Sequence, residues 1–91
     1  MKRYIIERNI PGVDALDAGQ RQAAAQTSNE ALNKLQGKVA WLHSYVVADK
    51  TFCVYMAENE DVIREHARLS GFPANKISEV SSVLNPETAH N

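Results

Sequence analysis

The chain has 91 residues, enough for one domain with a single thin core. Ten lysines and arginines face eleven aspartates and glutamates, so no basic excess exists to track a phosphate backbone, and nucleic acid is excluded as a first partner. There is no run of about 18 apolar residues to span a membrane. Tyr4-Ile5-Ile6 is too short for a signal peptide, and a cytoplasmic location is expected.

Residues 3–8 read as a strand, with Tyr4, Ile5 and Ile6 together and Pro11-Gly12 as punctuation. Asp17 followed by Gln20 is a capping-box pattern that opens a helix. The helix is expected to run to about Gln36, where Gly37 takes the left-handed position. Its repeating face (Ala24, Ser28, Ala31, Leu35) is small, so the helix can lie close to a sheet. Residues 39–47 and 51–57 are rich in aromatic and β-branched residues and form two strands around a short polar break at Ala48-Asp49-Lys50.

Asn59 caps a second helix, and Glu60 and Asp61 suit its positively polarised first turn. Val62, Ile63, His66, Ala67 and Ser70 form the inward stripe. Gly71-Phe72-Pro73 stops the helix through a positive φ and a residue that cannot continue it. Residues 76–84 alternate enough for a last strand. One domain is expected over residues 2–85, with a flexible polar tail at 86–91.

The order strand-helix-strand-strand-helix-strand defines an α+β, ferredoxin-like fold. Right-handed crossovers give a four-stranded antiparallel sheet with both helices on one face. The other face then needs cover, which a second copy supplies. The expected assembly is a homodimer with its two sheets facing each other and an enclosed space between them.

With Asp49 and Lys50 as turn residues, Val46 stands opposite Cys53 and Ser44 opposite Tyr55. Alternation groups Leu42, Ser44, Val46, Cys53, Tyr55 and Ala57 on one face. The bulkier set of Trp41, His43, Tyr45, Val47, Phe52, Val54 and Met56 is expected against the helices. The smaller set suits a ligand pocket.

Four side chains are candidates for chemistry. His66 lies on the inward stripe of the second helix. It either satisfies a local hydrogen bond or serves as a metal ligand or proton carrier. Cys53, the single cysteine, is either a small hydrophobe or a thiolate ligand. Glu7, in an otherwise apolar strand, is an ion-pair partner, a metal ligand or a general base. His43 could be a surface ligand on an edge strand. Ser44, Tyr45 and Tyr55 are expected to border the pocket. Glycine-loop, Walker, zincin and nucleophile-elbow patterns are missing, which sets those enzyme classes aside.

Taken together, Tyr4-Ile5-Ile6-Glu7-Arg8, Ser44-Tyr45-Val46, Lys50-Thr51-Phe52-Cys53-Val54-Tyr55 and Arg64-Glu65-His66-Ala67 with Gly71-Phe72-Pro73 resemble a family of small bacterial proteins of unassigned function, one branch of which binds nickel. The resemblance extends from Lys2 to about Pro86. It implies a dimeric ferredoxin-like α+β barrel able to hold nickel, although family members often carry an acidic residue where this chain has His43. The resemblance gives no ligand set residue by residue; Glu7, His43, Cys53 and His66 are expected, from their own chemistry, as metal ligands or their supports, and they need not belong to one site. A metal-binding or small-ligand-binding dimer is the first expectation. The alternative is a cofactor-free monooxygenase- or isomerase-like enzyme acting on an apolar small molecule, with His66 or Glu7 as base.

Overall fold

The structure is a computed structural model that describes residues 1–90. Strand β1 (Lys2–Asn9) leads through a short 3-10 turn to helix α1 (Ala18–Lys34). Strands β2 (Val39–Val47) and β3 (Lys50–Ala57) form a hairpin, followed by helix α2 (Glu60–Ser70) and strand β4 (Lys76–Glu79). An exposed 3-10 turn covers Pro86–His90, and Asn91, the end of the expected tail, lies outside the described residues. The sheet order is β2-β3-β1-β4, antiparallel throughout.

Local chemistry sets the helix ends. The Gln20 N–H donates to Asp17 Oδ1 at 2.8 Å, and the Asp17 N–H returns a bond to Gln20 Oε1 at 3.0 Å, which completes the capping box. The Val62 N–H donates to Asn59 Oδ1 at 3.0 Å. Gly71 closes α2 at φ 79°, its N–H reaching the Ala67 carbonyl at 2.9 Å. A side chain there would strain the left-handed turn.

The core lies between the helices and one sheet face. Tyr4 and Ile6 of β1, Cys53, Tyr55 and Ala57 of β3, Val39 of β2 and Ile63 of α2 form one buried cluster, with Leu32 and Leu35 packed against it. Both helices therefore cover the same face, as the element order implies. The other face is open. Ile5, Tyr45 and Val47 there are 39%, 59% and 53% exposed.

The expected barrel does not form. Strands β2 and β4 sit at opposite ends of the sheet and each pairs with one neighbour, so the sheet stays open. Closure needs a continuous ring of tilted strands, and four strands ending in a four-residue β4 cannot complete it.

Pairing also differs across the hairpin. The turn residues are Ala48 and Asp49, because Val47 pairs with Lys50, Val46 with Thr51 and Ser44 with Cys53. Asp49 is occupied elsewhere: its carboxylate accepts from the Gly12 N–H at 2.8 Å and its carbonyl from the Ile10 N–H at 2.8 Å. These long-range bonds pull the turn one residue toward the N-terminus. The pairing shift is two residues, so Ser44, Val46, Cys53 and Tyr55 still share a face. A bulge between Trp41 and His43 makes Leu42 the extra residue and moves Trp41 onto that same face.

The faces themselves are reversed from expectation. The Cys53–Tyr55 set packs under the helices, and the bulkier set with Phe52, Val54 and Met56 lies on the open side. Central β1 decides this. Its Tyr4 and Ile6 pair with Tyr55 and Cys53, whereas Arg3, Ile5 and Glu7 pair with Met56, Val54 and Phe52. Charged Arg3 and Glu7 belong in water, and they carry their cross-strand partners outward.

Candidate ligand pocket

Helix α1 meets the sheet through small residues, its buried positions being Ser28 and Ala31. Toward its N-terminal end Ala24 and Ala25 leave a gap over β2 and β3, since close packing needs side-chain volume that alanine lacks. The gap is a cavity of about 260 Å³. It is lined by Thr51, Cys53 and Tyr55 of β3, by Trp41, Ser44 and Val46 of β2, and by Val13, Leu16 and Phe72 from the connecting segments. Arg8 and Arg21 also line it. A mostly apolar hollow with a few polar groups is the usual make-up of a small-molecule site.

Arg8 is the unusual member. It continues the inward alternation of Tyr4 and Ile6 and is 2% exposed. Its Nη1 donates to the Pro73 carbonyl at 2.7 Å and, more weakly, to the Phe72 carbonyl at 3.4 Å. Its Nη2 is buried without a partner. The guanidinium carbon lies 5.9 Å from the Tyr55 ring centroid, within cation–π range. The ion pairs among the described residues are Lys2–Glu79, Lys50–Glu7, Arg64–Glu60 and Arg68–Glu65; Arg8 belongs to none.

The remaining polar groups of the cavity are tied locally. Trp41 Nε1 donates to Ser44 Oγ at 2.9 Å, and Cys53 Sγ lies 3.5 Å from Thr51 Oγ1. Burial pushes the Tyr55 phenol above its ordinary range, partly offset by the Ser28 hydroxyl and the Arg8 charge. Tyr55 is therefore neutral at physiological pH.

His66 sits beside Tyr55, with ring centroids 5.3 Å apart, and it is 1% exposed. It does not line the cavity. Its Nε2 is 3.3 Å from both the Ser28 carbonyl and the Ser28 hydroxyl. A carbonyl only accepts, so Nε2 carries the proton and Nδ1 is left buried without a partner. Burial and the nearby Arg8 charge lower its pKa, which keeps the ring neutral.

The four expected metal ligands do not converge. Cys53 and His66 lie on the helix side of the sheet. Glu7 and His43 lie on the open side, where Lys50 Nζ donates to Glu7 Oε1 at 2.7 Å and holds that carboxyl below its usual range. His43 stacks edge-on against Tyr45 at 5.1 Å. Among the described residues no three histidine, cysteine, aspartate or glutamate side chains gather around one point. A nickel ion therefore does not fit the residues of one chain. Of the expected pocket residues, Ser44 and Tyr55 line the cavity, while Tyr45 is on the other face. Arg8, Arg21, Trp41 and Phe72 were not anticipated. For Arg8 the alternation with Tyr4 and Ile6 carried a readable signal; for Trp41 the bulge erased it.

The family model described as nickel responsive protein SCO4226-like matches residues 4–80. Among solved structures, the crystal structure of SCO4226 from Streptomyces coelicolor A3(2) aligns with a TM-score of 0.73 at 14% identity, covering 90% of this chain and 99% of the other. At that identity the likeness is one of fold. No curated protein matches the chain.

Proposed function

The chain belongs to the SCO4226-like family of nickel-responsive proteins, and from that starting point we propose that it is a small-organic-ligand-binding protein acting as a symmetric pair of copies. The cavity between α1 and the sheet is the observation that carries this reading. At about 260 Å³ it falls near the lower end of ligand pockets, which run to about 300–1,000 Å³. Its apolar walls, open toward solvent, gain from exchanging water for an apolar occupant. Binding is favoured over turnover because the cavity lining contains no histidine and no carboxylate. Its cysteine faces a threonine hydroxyl rather than a base, which leaves the thiol unactivated.

Pairing is supported by the open sheet face, where Ile5, Tyr45 and Val47 stay exposed beside half-buried Phe52, Val54 and Met56. Contiguous apolar surface of this kind marks a contact site. Sedimentation equilibrium is expected to give twice the chain mass, and Val54→Lys is expected to return it to one.

The test of the pocket is an amide NMR titration of the full chain with a set of neutral and anionic aromatic fragments. Shifts clustered at Ser44, Thr51, Cys53 and Tyr55 are expected. Absence of such clustered shifts for every fragment at millimolar concentration overturns the proposal.

A second reading, nickel binding, is supported by the family's description. Because one chain does not gather the ligands, the ion would need two copies meeting through the open face that carries Glu7 and His43. Calorimetry of tag-free protein with nickel chloride tests this. No heat of binding in the micromolar range, or unchanged affinity in His43→Ala, refutes it.

A further inference from the structure

We propose that the cavity is selective for a small monoanion with an apolar body, such as an aryl-substituted carboxylic acid, whose carboxylate pairs with Arg8. This rests on the ligand-binding reading above and names its chemical class.

The charge pattern points this way first. The cavity is lined by two arginines and by no aspartate or glutamate. Arg8 cannot shed its charge by losing a proton. It is almost wholly removed from water, yet no carboxylate of the described residues faces it. Two of its five donors have a structural task, since Nη1 ties β1 to the segment after α2 through Pro73 and Phe72. The two hydrogens on Nη2 make no well-formed hydrogen bond, although the Tyr55 hydroxyl lies close enough to feel the Arg8 side chain. Buried charges in proteins are normally paired, and a bound anion supplies the missing partner. Anchoring by Nη1 fixes the guanidinium plane; Nη2 itself has no surface open to water, so a carboxylate reaches it only with a small shift of the cavity wall.

The walls select what accompanies the charge. Trp41 already spends its only donor on Ser44 and so offers the ligand an apolar surface. Tyr55 and Phe72 add aromatic area. A cavity of 150 Å³ holds benzene (an engineered case in another protein), so 260 Å³ admits a ring, a short arm and a carboxylate, on the order of ten non-hydrogen atoms. A dianionic phosphate fits poorly, because one free nitrogen among apolar walls cannot replace its hydration. Arg21, exposed on α1 at the rim, is placed to draw anions toward the opening rather than to hold them.

The experiment compares 3-phenylpropionate with its near-isosteric amide, 3-phenylpropionamide, by calorimetry and amide NMR on the full chain at pH 7. The acid is expected to bind at least tenfold more tightly, with shifts at Cys53, Tyr55 and the Arg8 side chain. Arg8→Met is expected to abolish the preference while leaving amide binding in place. Arg21→Gln is expected to weaken acid binding only two- to threefold. Equal binding of acid and amide to the wild-type chain overturns this inference and leaves the ligand-binding reading standing. If neither probe nor any neutral fragment binds, both fall. Should Arg8→Met fail to fold, the acid-to-amide ratio on the wild-type chain still decides the matter.

Discussion

The buried neutral His66 gives the fold an acid-sensitive point whose size can be worked out. Unfolded, this side chain titrates near 6.5; folded, burial and the Arg8 charge lower its pKa. Below pH 6.5 the unfolded chain therefore binds more protons than the folded one. Stability is full above 6.5 and falls as pH drops toward the folded pKa, with a limiting slope of about 1.4 kcal/mol per pH unit. If folded His66 stays neutral throughout, moving from pH 7.5 to 5.5 costs at most about 1.4 kcal/mol. For a domain of this length that is a fall in Tm of up to about 6–10 °C. The carboxyls of Glu7 and Glu65 do not interfere, since Lys50 and Arg68 hold both below 4.5 and their contributions are lost only under more acid conditions. Urea melts of wild type and His66→Gln at pH 7.5, 6.5 and 5.5 are the assay. His66→Gln, whose amide can still donate to the Ser28 carbonyl, is expected to remove the part of the slope due to this residue. A slope between 7.5 and 5.5 that is the same in both proteins would falsify the reasoning.

Tyr55 gives the opposite trend at the alkaline end. Its folded pKa is raised above 10, so stability falls as pH rises past 10, and Tyr55→Phe is expected to flatten that fall. Phenolate absorbance should show that Tyr55→Phe loses a phenol titrating above 10; loss of one titrating at or below 10 would contradict the burial argument. Ile63, 1% exposed in the centre of the core, is expected to cost about 2–5 kcal/mol on replacement by alanine, measured by chemical denaturation. Asp49→Ala removes the acceptor of the Gly12 N–H and should cost about 1 kcal/mol; no loss would mean that the turn is placed by the hairpin alone.

Features fixed by neighbours in sequence were legible before the structure. Asp17 with Gln20, Asn59 before α2 and Gly71 after it each close a local hydrogen-bond requirement, and each stands where that chemistry put it. The antiparallel order and the one-sided helices followed from connectivity. What escaped depended on distant partners. The hairpin turn moved because Asp49 bonds to the β1–α1 loop, and nothing within the hairpin records that. The two sheet faces were ranked by the bulk of β2 and β3, whereas central β1 sets them through Arg3 and Glu7. Closure into a barrel was carried by resemblance and fails on sheet order. The opposite placement of Cys53 and His43, by contrast, already followed from alternation along the hairpin. The pocket was half legible: Ser44, Cys53 and Tyr55 were grouped, but Arg8 was not among the candidates.

The extra residue at Leu42 reaches beyond the local pairing. In an unbroken strand, residues three apart face opposite sides, and Trp41 could not donate to Ser44. The insertion brings both to one side, so one wall of the cavity exists because the strand is irregular. It also falls on β2, an edge strand. An incoming strand from another molecule would have to match this irregularity midway along its length, which discourages edge-to-edge growth of the sheet. That leaves the broad open face, not the edge, as the surface on which the proposed pairing of copies rests.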